Sequence, residues 1–488
     1  MFQSREFGRA DRERLVKNGF LLEVMKGWVI SATPGTRMGD STAWFASFWE
    51  FCARYCGERF GNDWHLSPEQ SLFLHSGNTA IPTQVIVYSP KGTNNTIHLP
   101  FDTSLYDLKQ KKTPLKGDIV DMDGLRVYAT TSALIKVSAA FYQRFPVEAQ
   151  VVLSRISDAG DLLRHLLAGG HSTVAGRLVG AFRHMGNADV AEDIRSAMKA
   201  AGFTVRESDP FEADPPFAGV VPSTAPIVAR LHALWERQRD VVIHAFPPAP
   251  GLPKDRKGYL LAVDDVYSCD AYHSLSIEGY RVSPELVDRV RSGAWDPDSY
   301  DTDRRTRDAL VARGYWQAFR IVKEDVAKVI AGMPPGEIVA RSHRNWYREL
   351  FQPCVASGLT GAEVLAGYRC DAVYLRTSRH VPPRWESVRD AMPALFELLC
   401  HEKEPSVRAV LGHWLFGYIH HYPDGNGRMA RFLMNVMLAS GGYPWTVIRV
   451  EDQTAYLASL EAASVETHIE PFAGFIAERV QWSMKAAE

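Results

Sequence analysis

The residue pattern predicts a mainly α-helical protein preceded by an α+β N-terminal region. Three observations carry this. Apolar runs at helical spacing, 411-LGHWLFGYI-419 and 432-FLMNVMLAS-440, flank one short polar loop. The stretch 207–226, with five prolines and four acids, follows neither the helical nor the strand period and reads as an extended linker. Ahead of it, the β-branched alternation of TQVIVYSP (83–90) marks a strand among helices.

Taken in order, residues 9–30 read as a basic helix running into a small hairpin with its turn near Lys26-Gly27. Arg9, Arg12, Arg14, Lys17 and Lys26 suit phosphate contact, as a recognition helix and wing would make it. The interspersed Glu6, Asp11, Glu13 and Glu23 equally suit a solvated helix, so both readings stand. Residues 1–60 are thus a candidate winged-helix segment and 61–206 an α+β domain that turns helical beyond about residue 130. This order resembles the AbiEi-type antitoxin and regulator family, a winged helix followed by an α/β domain; DNA contact, if made, runs through residues 9–30. After the 207–226 linker, residues 227–488 open with a helical run over 227–243 and a proline cluster at 246–253.

Composition narrows the class. Of 488 residues, 46% are apolar and 23% charged, which is globular usage. A net charge of −2 argues against a strongly cationic nucleic-acid coat. No apolar run is long enough for a membrane span, and the charged N-terminus does not read as a signal. Six scattered cysteines (Cys52, Cys56, Cys269, Cys354, Cys370, Cys400) complete no zinc pattern and read as free, buried thiols of a cytoplasmic protein. Homo-oligomerisation is left open.

The loop between the two apolar runs, 420-HHYPDGNGRMAR-431, carries the chemistry. The second helix begins near Arg428, and a helix N-terminus offers unpaired N–H groups and partial positive charge to an anion. Gly425 and Gly427 let the backbone approach that anion closely. Asp424 is a hard ligand suited to Mg²⁺, and Arg428 and Arg431 each offer a fork of donors. His420 has the side chain suited to proton abstraction near neutrality. Each feature alone has a bland explanation; their combination in one turn points to nucleotide phosphate beside a general base.

The segment resembles the signature of the Fic family, H-P-F-x-[D/E]-G-N-G-R-x-x-R, whose all-helical domain transfers the nucleoside monophosphate of ATP to a protein hydroxyl. The resemblance implies His420 as base and Asp424 as Mg²⁺ ligand. It implies that Asn426, with the backbone of Gly425 and Gly427, forms the anion hole, and that Arg428 and Arg431 hold phosphate. His421 stands in place of the family's Pro and Tyr422 in place of its Phe; neither removes a catalytic group. Gly427 favours nucleotide transfer, since Lys there marks a phosphate-transferring branch.

Upstream, 272-YHSLSIEGY-280 is similar to the family's inhibitory motif, [S/T]-x-x-x-E-[G/N]. By that likeness Ser274, Glu278 and Gly279 form an inhibitory helix whose glutamate pairs with Arg431 and fills the γ-phosphate position. The alternative is an ordinary capped helix, with Ser274 at its N-cap and Gly279 as its stop. Residues 369–383 read as a short exposed hairpin; in the family such a flap docks a protein substrate as an added strand, here over 372–380. The expected function is an autoinhibited protein adenylyltransferase acting on a Ser, Thr or Tyr hydroxyl. A DNA-binding regulator or antitoxin with a nucleotide-sensing domain, or a related phosphoryl chemistry on the same loop, are the alternatives.

Overall fold

The computed structural model describes residues 1–34, 40–112, 114–115, 117–211, 225–295 and 307–487. The chain divides into two compact units, Met1–Ala233 with Tyr374–Pro382, and Leu234–Val373 with Pro383–Glu488. Most of the expected linker, 212–224, lies outside the described residues. Residues 207–211 are not extended linker: Phe211 is buried against Tyr142 and His184, and His184 pairs with Asp209 at 2.9 Å.

The first unit opens with the expected helix and hairpin. β1 (Phe2–Gln3), α1 (Arg9–Lys17), β2 (Leu21–Met25) and β3 (Trp28–Ser31) give a three-stranded sheet in the order β1-β3-β2. No residue of α1 is buried, while β3 sends Val29 and Ile30 fully into the interior. Helix α2 (Thr42–Phe60) buries Trp44, Phe48, Phe51 and Cys52 on one face, at the three- and four-residue spacing of an amphipathic helix.

Next come β4 (His65–Leu66), α3 (Pro68–His75), β5 (Gln84–Ser89), β6 (Asn95–Leu99) and β7 (Thr103–Lys109). The strands pair as β4-β5-β7-β6, with β5 and β7 parallel. Val85 and Val87 of β5 point into the core beside α2, as period-two alternation requires. β8 (Ile119–Met122) and β9 (Leu125–Tyr128) form a hairpin around Asp123-Gly124, both at positive φ, the backbone of a tight two-residue turn. Six helices follow, α4 (Thr130–Lys136) to α9 (Ala188–Ala200), with α5 (Ala139–Arg144), α6 (Pro146–Ser154), α7 (Gly160–Gly169) and α8 (Ser172–His184) between.

The second unit contains helices and no strand among its described residues. The boundary falls within α10 (Pro226–Ala245), followed by α11 (Arg256–Ile277), α12 (Pro284–Ser292), α13 (Arg307–Ile330) and α14 (Pro335–Ala356). α15 (Val388–His401), α16 (Pro405–Ile419), α17 (Asn426–Ala439), α18 (Gln453–Glu466) and α19 (Glu470–Ala487) complete it. α16 and α17 are buried on nearly every face, which is why their sequences read as continuous apolar runs and not as stripes. Fully buried Trp346, Tyr315, Trp414 and Phe432 fill the space around them.

Two expectations need correction. Residues 372–380 contain no paired strand; they form a loop turned at Arg376-Thr377, with Thr377 at φ +60°. In place of a ladder, the Arg379 carbonyl accepts the Ile81 N–H at 2.8 Å and the Arg379 Nε donates to the Ile81 carbonyl at 2.8 Å, both within the first unit. The cysteines are all free, as expected, yet Cys269, Cys370 and Cys400 are exposed and not buried. Among the described residues no helix is long and apolar enough to cross a membrane.

Candidate active site

The site is built at one turn, where α16 stops and α17 starts. α16 ends because His420 takes the left-handed backbone conformation, φ 49° and ψ 54°. Residues 421–425 then reverse the chain, and Gly425, at φ +80°, is the N-cap of α17. A side chain at 425 would be strained by that φ and would also meet the Phe351 ring at 2.8 Å, so glycine is required twice over.

Asn426 holds the turn shut. Its amide donates to the Tyr422 carbonyl at 2.8 Å and accepts the Tyr422 N–H at 3.0 Å. The side chain is therefore committed to the loop, and Asn426 reaches an anion through its main-chain N–H, one of the donors a helix start leaves without intrahelical partners. Tyr422 is anchored by stacking on Tyr347 of α14, centroids 3.7 Å apart and planes 3° from parallel. His421 fills an aromatic pocket against Phe416, at 4.2 Å, and Tyr368, at 5.1 Å, and burial drives its pKa far down.

His420 itself sits partly buried, its Nδ1 3.3 Å from the Gly417 carbonyl. A carbonyl only accepts, so Nδ1 carries the proton and Nε2 keeps its lone pair. Burial lowers the imidazole pKa to about 4, the Gly417 bond opposing and the Arg369 charge assisting. The ring is thus a neutral base at physiological pH.

Arg428 lies on the first turn of α17 and Arg431 on the second, and both are buried. Arg428 is flanked by Tyr280 and Phe351, its guanidinium carbon 5.3 and 5.2 Å from their ring centres. Its Nη2 lies 3.4 Å from Asp424 Oδ2, and Nε and Nη2 make no hydrogen bond among the described residues. A buried guanidinium with donors to spare suits an incoming anion. Arg431 is fully engaged instead: Nε donates to Ser274 Oγ at 2.9 Å, and Nη2 to the Ser274 carbonyl at 3.0 Å and to Glu278 Oε1 at 2.7 Å.

The 272–280 segment is the end of α11, not a helix start. Ser274 lies in its last turn, Glu278 is the C-cap and Gly279, at φ +86°, closes it. The Glu278 carboxylate reaches over α17 so closely that a Cβ at Gly427 would lie 2.4 Å from its Oε1. It occupies the anion position of that helix N-terminus. Burial pushes its carboxyl up, and Arg431 and Arg428 outweigh this, leaving it below the usual range. The fork of Arg431 is shared between Ser274 and Glu278, so the carboxylate is held through one oxygen.

Asp424 is half-exposed, with Oδ1 accepting the Gly425 N–H at 2.6 Å. Among the described residues no three His, Cys, Asp or Glu side chains cluster to hold a metal. One carboxylate at a phosphate cradle is still a fit for Mg²⁺, which keeps waters and takes its remaining ligands from phosphate oxygens. The structure therefore brings His420, Asp424, Gly425, Asn426, Gly427, Arg428 and Arg431 together with Ser274, Glu278 and Gly279. Residues that sequence reasoning missed are Tyr280 and Phe351 on Arg428, and Arg369, whose Nε donates to the His420 carbonyl at 2.8 Å.

Residues 338–438 match the Fic/DOC family. The chain carries a Fic/DOC domain there. A protein adenylyltransferase Fic of Nematostella vectensis is 36% identical over 124 residues, 24% of this chain and 28% of that protein. A protein adenylyltransferase fic-1 of Caenorhabditis elegans is 29% identical over 119 residues, 24% of this chain and 23% of that protein. The chain thus spans about a quarter of the length of the curated relatives it matches. Among solved structures, Fic-1 (aa134–508) of C. elegans is 18% identical with a TM-score of 0.38, covering 70% of this chain and 98% of that one. A Fic domain-containing signalling protein of Bacteroides thetaiotaomicron is 17% identical with the same TM-score of 0.38, covering 54% and 95%. The Fic/DOC match ends one residue short of the end of α17, so it contains the whole loop from His420 to Arg431.

Proposed function

We propose that this protein is an autoinhibited adenylyltransferase, moving AMP from ATP to a Ser, Thr or Tyr hydroxyl of a protein. The observation that carries the reading is a carboxylate, Glu278, seated on the α17 N-terminus and paired with Arg431 beside a neutral imidazole. A site that keeps an anion position filled with its own side chain is built for an anion and is held closed.

In the open state Glu278 leaves Arg431, and the terminal phosphate of ATP takes its place. The N–H groups at the start of α17 and the spare donors of Arg428 hold the remaining phosphates. His420 Nε2 accepts the proton of the target hydroxyl as its oxygen attacks the α-phosphorus; the bond to the pyrophosphate oxygen breaks. Arg428 and Arg431 spread the charge that builds on the departing pyrophosphate. Asp424 would hold Mg²⁺, which supplies further neutralisation of that charge.

The test uses wild-type, Glu278→Gly and His420→Ala proteins with Mg²⁺ and ATP labelled at the α- or the γ-phosphate. Protein-bound label from the α position, raised in Glu278→Gly and absent in His420→Ala, is the expected result. Label from the γ position alone would mean a kinase and would sink the reading.

A second reading concerns residues 9–30. Helix α1 buries none of its residues: Arg9, Arg14 and Lys17 are exposed and Arg12 is half-buried, beside the β2–β3 hairpin, a basic surface that suits duplex DNA. Against it, Arg9 is bonded to Glu13 at 2.9 Å and Arg14 to Asp11 at 3.1 Å. Binding to duplex that weakens steeply with salt, and is lost on Arg12→Ala with Lys17→Ala, decides for DNA.

A further inference from the structure

We propose that Arg369 is a positioning residue for His420: it holds the left-handed turn that carries the imidazole and ties that turn to both roots of the 372–380 segment. The catalytic meaning rests on the function proposed above; the geometry does not.

The turn needs a holder. α16 ends at Ile419, and the last carbonyls of a helix have no partners within it. His420 then adopts a conformation that side-chain-bearing residues rarely take, at a place where glycine is usual. Such a conformation persists when its surroundings impose it.

Arg369 engages the three successive carbonyls there. Its Nε donates to the His420 carbonyl at 2.8 Å, and its Nη2 lies 3.5 Å from the Ile419 carbonyl. Its own main-chain N–H donates to the His421 carbonyl at 2.9 Å. A buried cation at a helix C-terminus is also favourable against the helix dipole. A planar fork meets several carbonyls at fixed angles, which an ammonium cannot do.

The same guanidinium reaches the other way. Nη1 donates to the Asp371 carbonyl at 2.9 Å, and Nη2 to the Pro383 carbonyl. Asp371 and Pro383 are the residues that bracket 372–382 in the chain. One side chain therefore joins the peptide of the base to both ends of that segment, so a displacement of either root is felt at His420. Next to it, Tyr368 bonds His343 at 2.9 Å and packs on His421 and Tyr422, which braces the anchor from behind.

The experiment compares Arg369→Met and Arg369→Lys in the Glu278→Gly background, as full-length chains. It reads kcat, KM for the modified protein, ATP affinity, thermal midpoint and the pH profile. Arg369→Met is expected to lower kcat about 10- to 100-fold, the scale of a misplaced reacting group, with ATP affinity unchanged. Its acid limb should move to higher pH, because a positive charge has left the imidazole. Arg369→Lys keeps the charge but not the fork, so the limb should stay while kcat falls. Should Arg369→Met fail to fold, Arg369→Lys carries the kcat test. Unchanged kcat and limb in folded variants, or equal losses of ATP binding and kcat, overturn the proposal. If Glu278→Gly transfers no label at all, the adenylyltransferase reading fails, and a separate arm still decides the positioning. That arm is an NMR titration of the His420 imidazole, assigned with His420→Gln, in wild-type and both variants. A displaced His420 signal supports the proposal, and identical signals and titration in all three refute it.

Discussion

Removing the Glu278 carboxylate should tighten ATP binding by an amount the structure sets. Glu278 Oε1 lies 2.7 Å from Arg431 Nη2, with the glutamate side chain 27% exposed and the arginine 4%. A hydrogen bond between charged partners in such a setting is worth about 1.5–3 kcal/mol net. ATP must displace it, and with about 1.4 kcal/mol per tenfold in affinity the penalty is roughly 10- to 150-fold. Arg431 stays in place either way, because its two bonds to Ser274 do not involve Glu278.

The assay is calorimetric titration of ATP and of AMP into His420→Ala and into His420→Ala with Glu278→Gly, so that no turnover intervenes. ATP should gain on the order of tenfold or more, and AMP, which lacks the terminal phosphates, much less. Equal gains for both nucleotides would mean that Glu278 blocks the whole loop and does not stand in for a terminal phosphate. A gain under about twofold for ATP would remove the competition argument altogether. The pH dependence follows from the depressed carboxyl. The contact is fully present above the unfolded carboxyl value of about 4.3 and is lost only as pH falls through the lower folded value. The affinity difference between the two proteins should therefore hold from neutrality to about pH 5 and shrink below that.

Three further outcomes follow from the same geometry. With His420 titrating at about 4, label transfer by Glu278→Gly should be flat from neutrality into the mildly acidic range, falling only as the imidazole gains its proton; a limb centred near the ordinary imidazole value would contradict its burial. Gly427→Ala places a Cβ 2.4 Å from Glu278 Oε1, so it should raise transfer in the wild-type background by expelling that carboxylate, yet lower it in Glu278→Gly, where only the narrowed cradle is felt; radiolabel assays of the four proteins separate the effects. Trp346, fully buried with its Nε1 bonded to Asp325 at 2.8 Å, should cost about 3–5 kcal/mol when changed to Ala, read as a fall of about 10 °C in the thermal midpoint.

What could be read in advance follows from how far apart the interacting residues lie. The loop from His420 to Arg431 was legible because it is one covalent turn: the apolar runs fix the two helices, the glycines fix the reversal, and the arginines fall on the first two turns by spacing alone. The basic helix and the hairpin at Lys26-Gly27 were legible for the same local reason. The contact of Glu278 with Arg431 joins residues far apart in sequence, and no periodicity encodes it; only the likeness of both segments to one family suggested it. Propensity misled at 372–380, where β-branched and aromatic residues promised a hairpin but the backbone partner is Ile81. Arg369 illustrates the general difficulty. In sequence it is a charge at the edge of a strand-like run, indistinguishable from a solvated residue. Its buried guanidinium has meaning only once the carbonyls of residues 419 and 420 and of Pro383 are known to converge on it. Composition and motif name the groups that do chemistry. The groups that hold them in register act through main-chain atoms, which every residue possesses, so the sequence carries no mark of where those partners are.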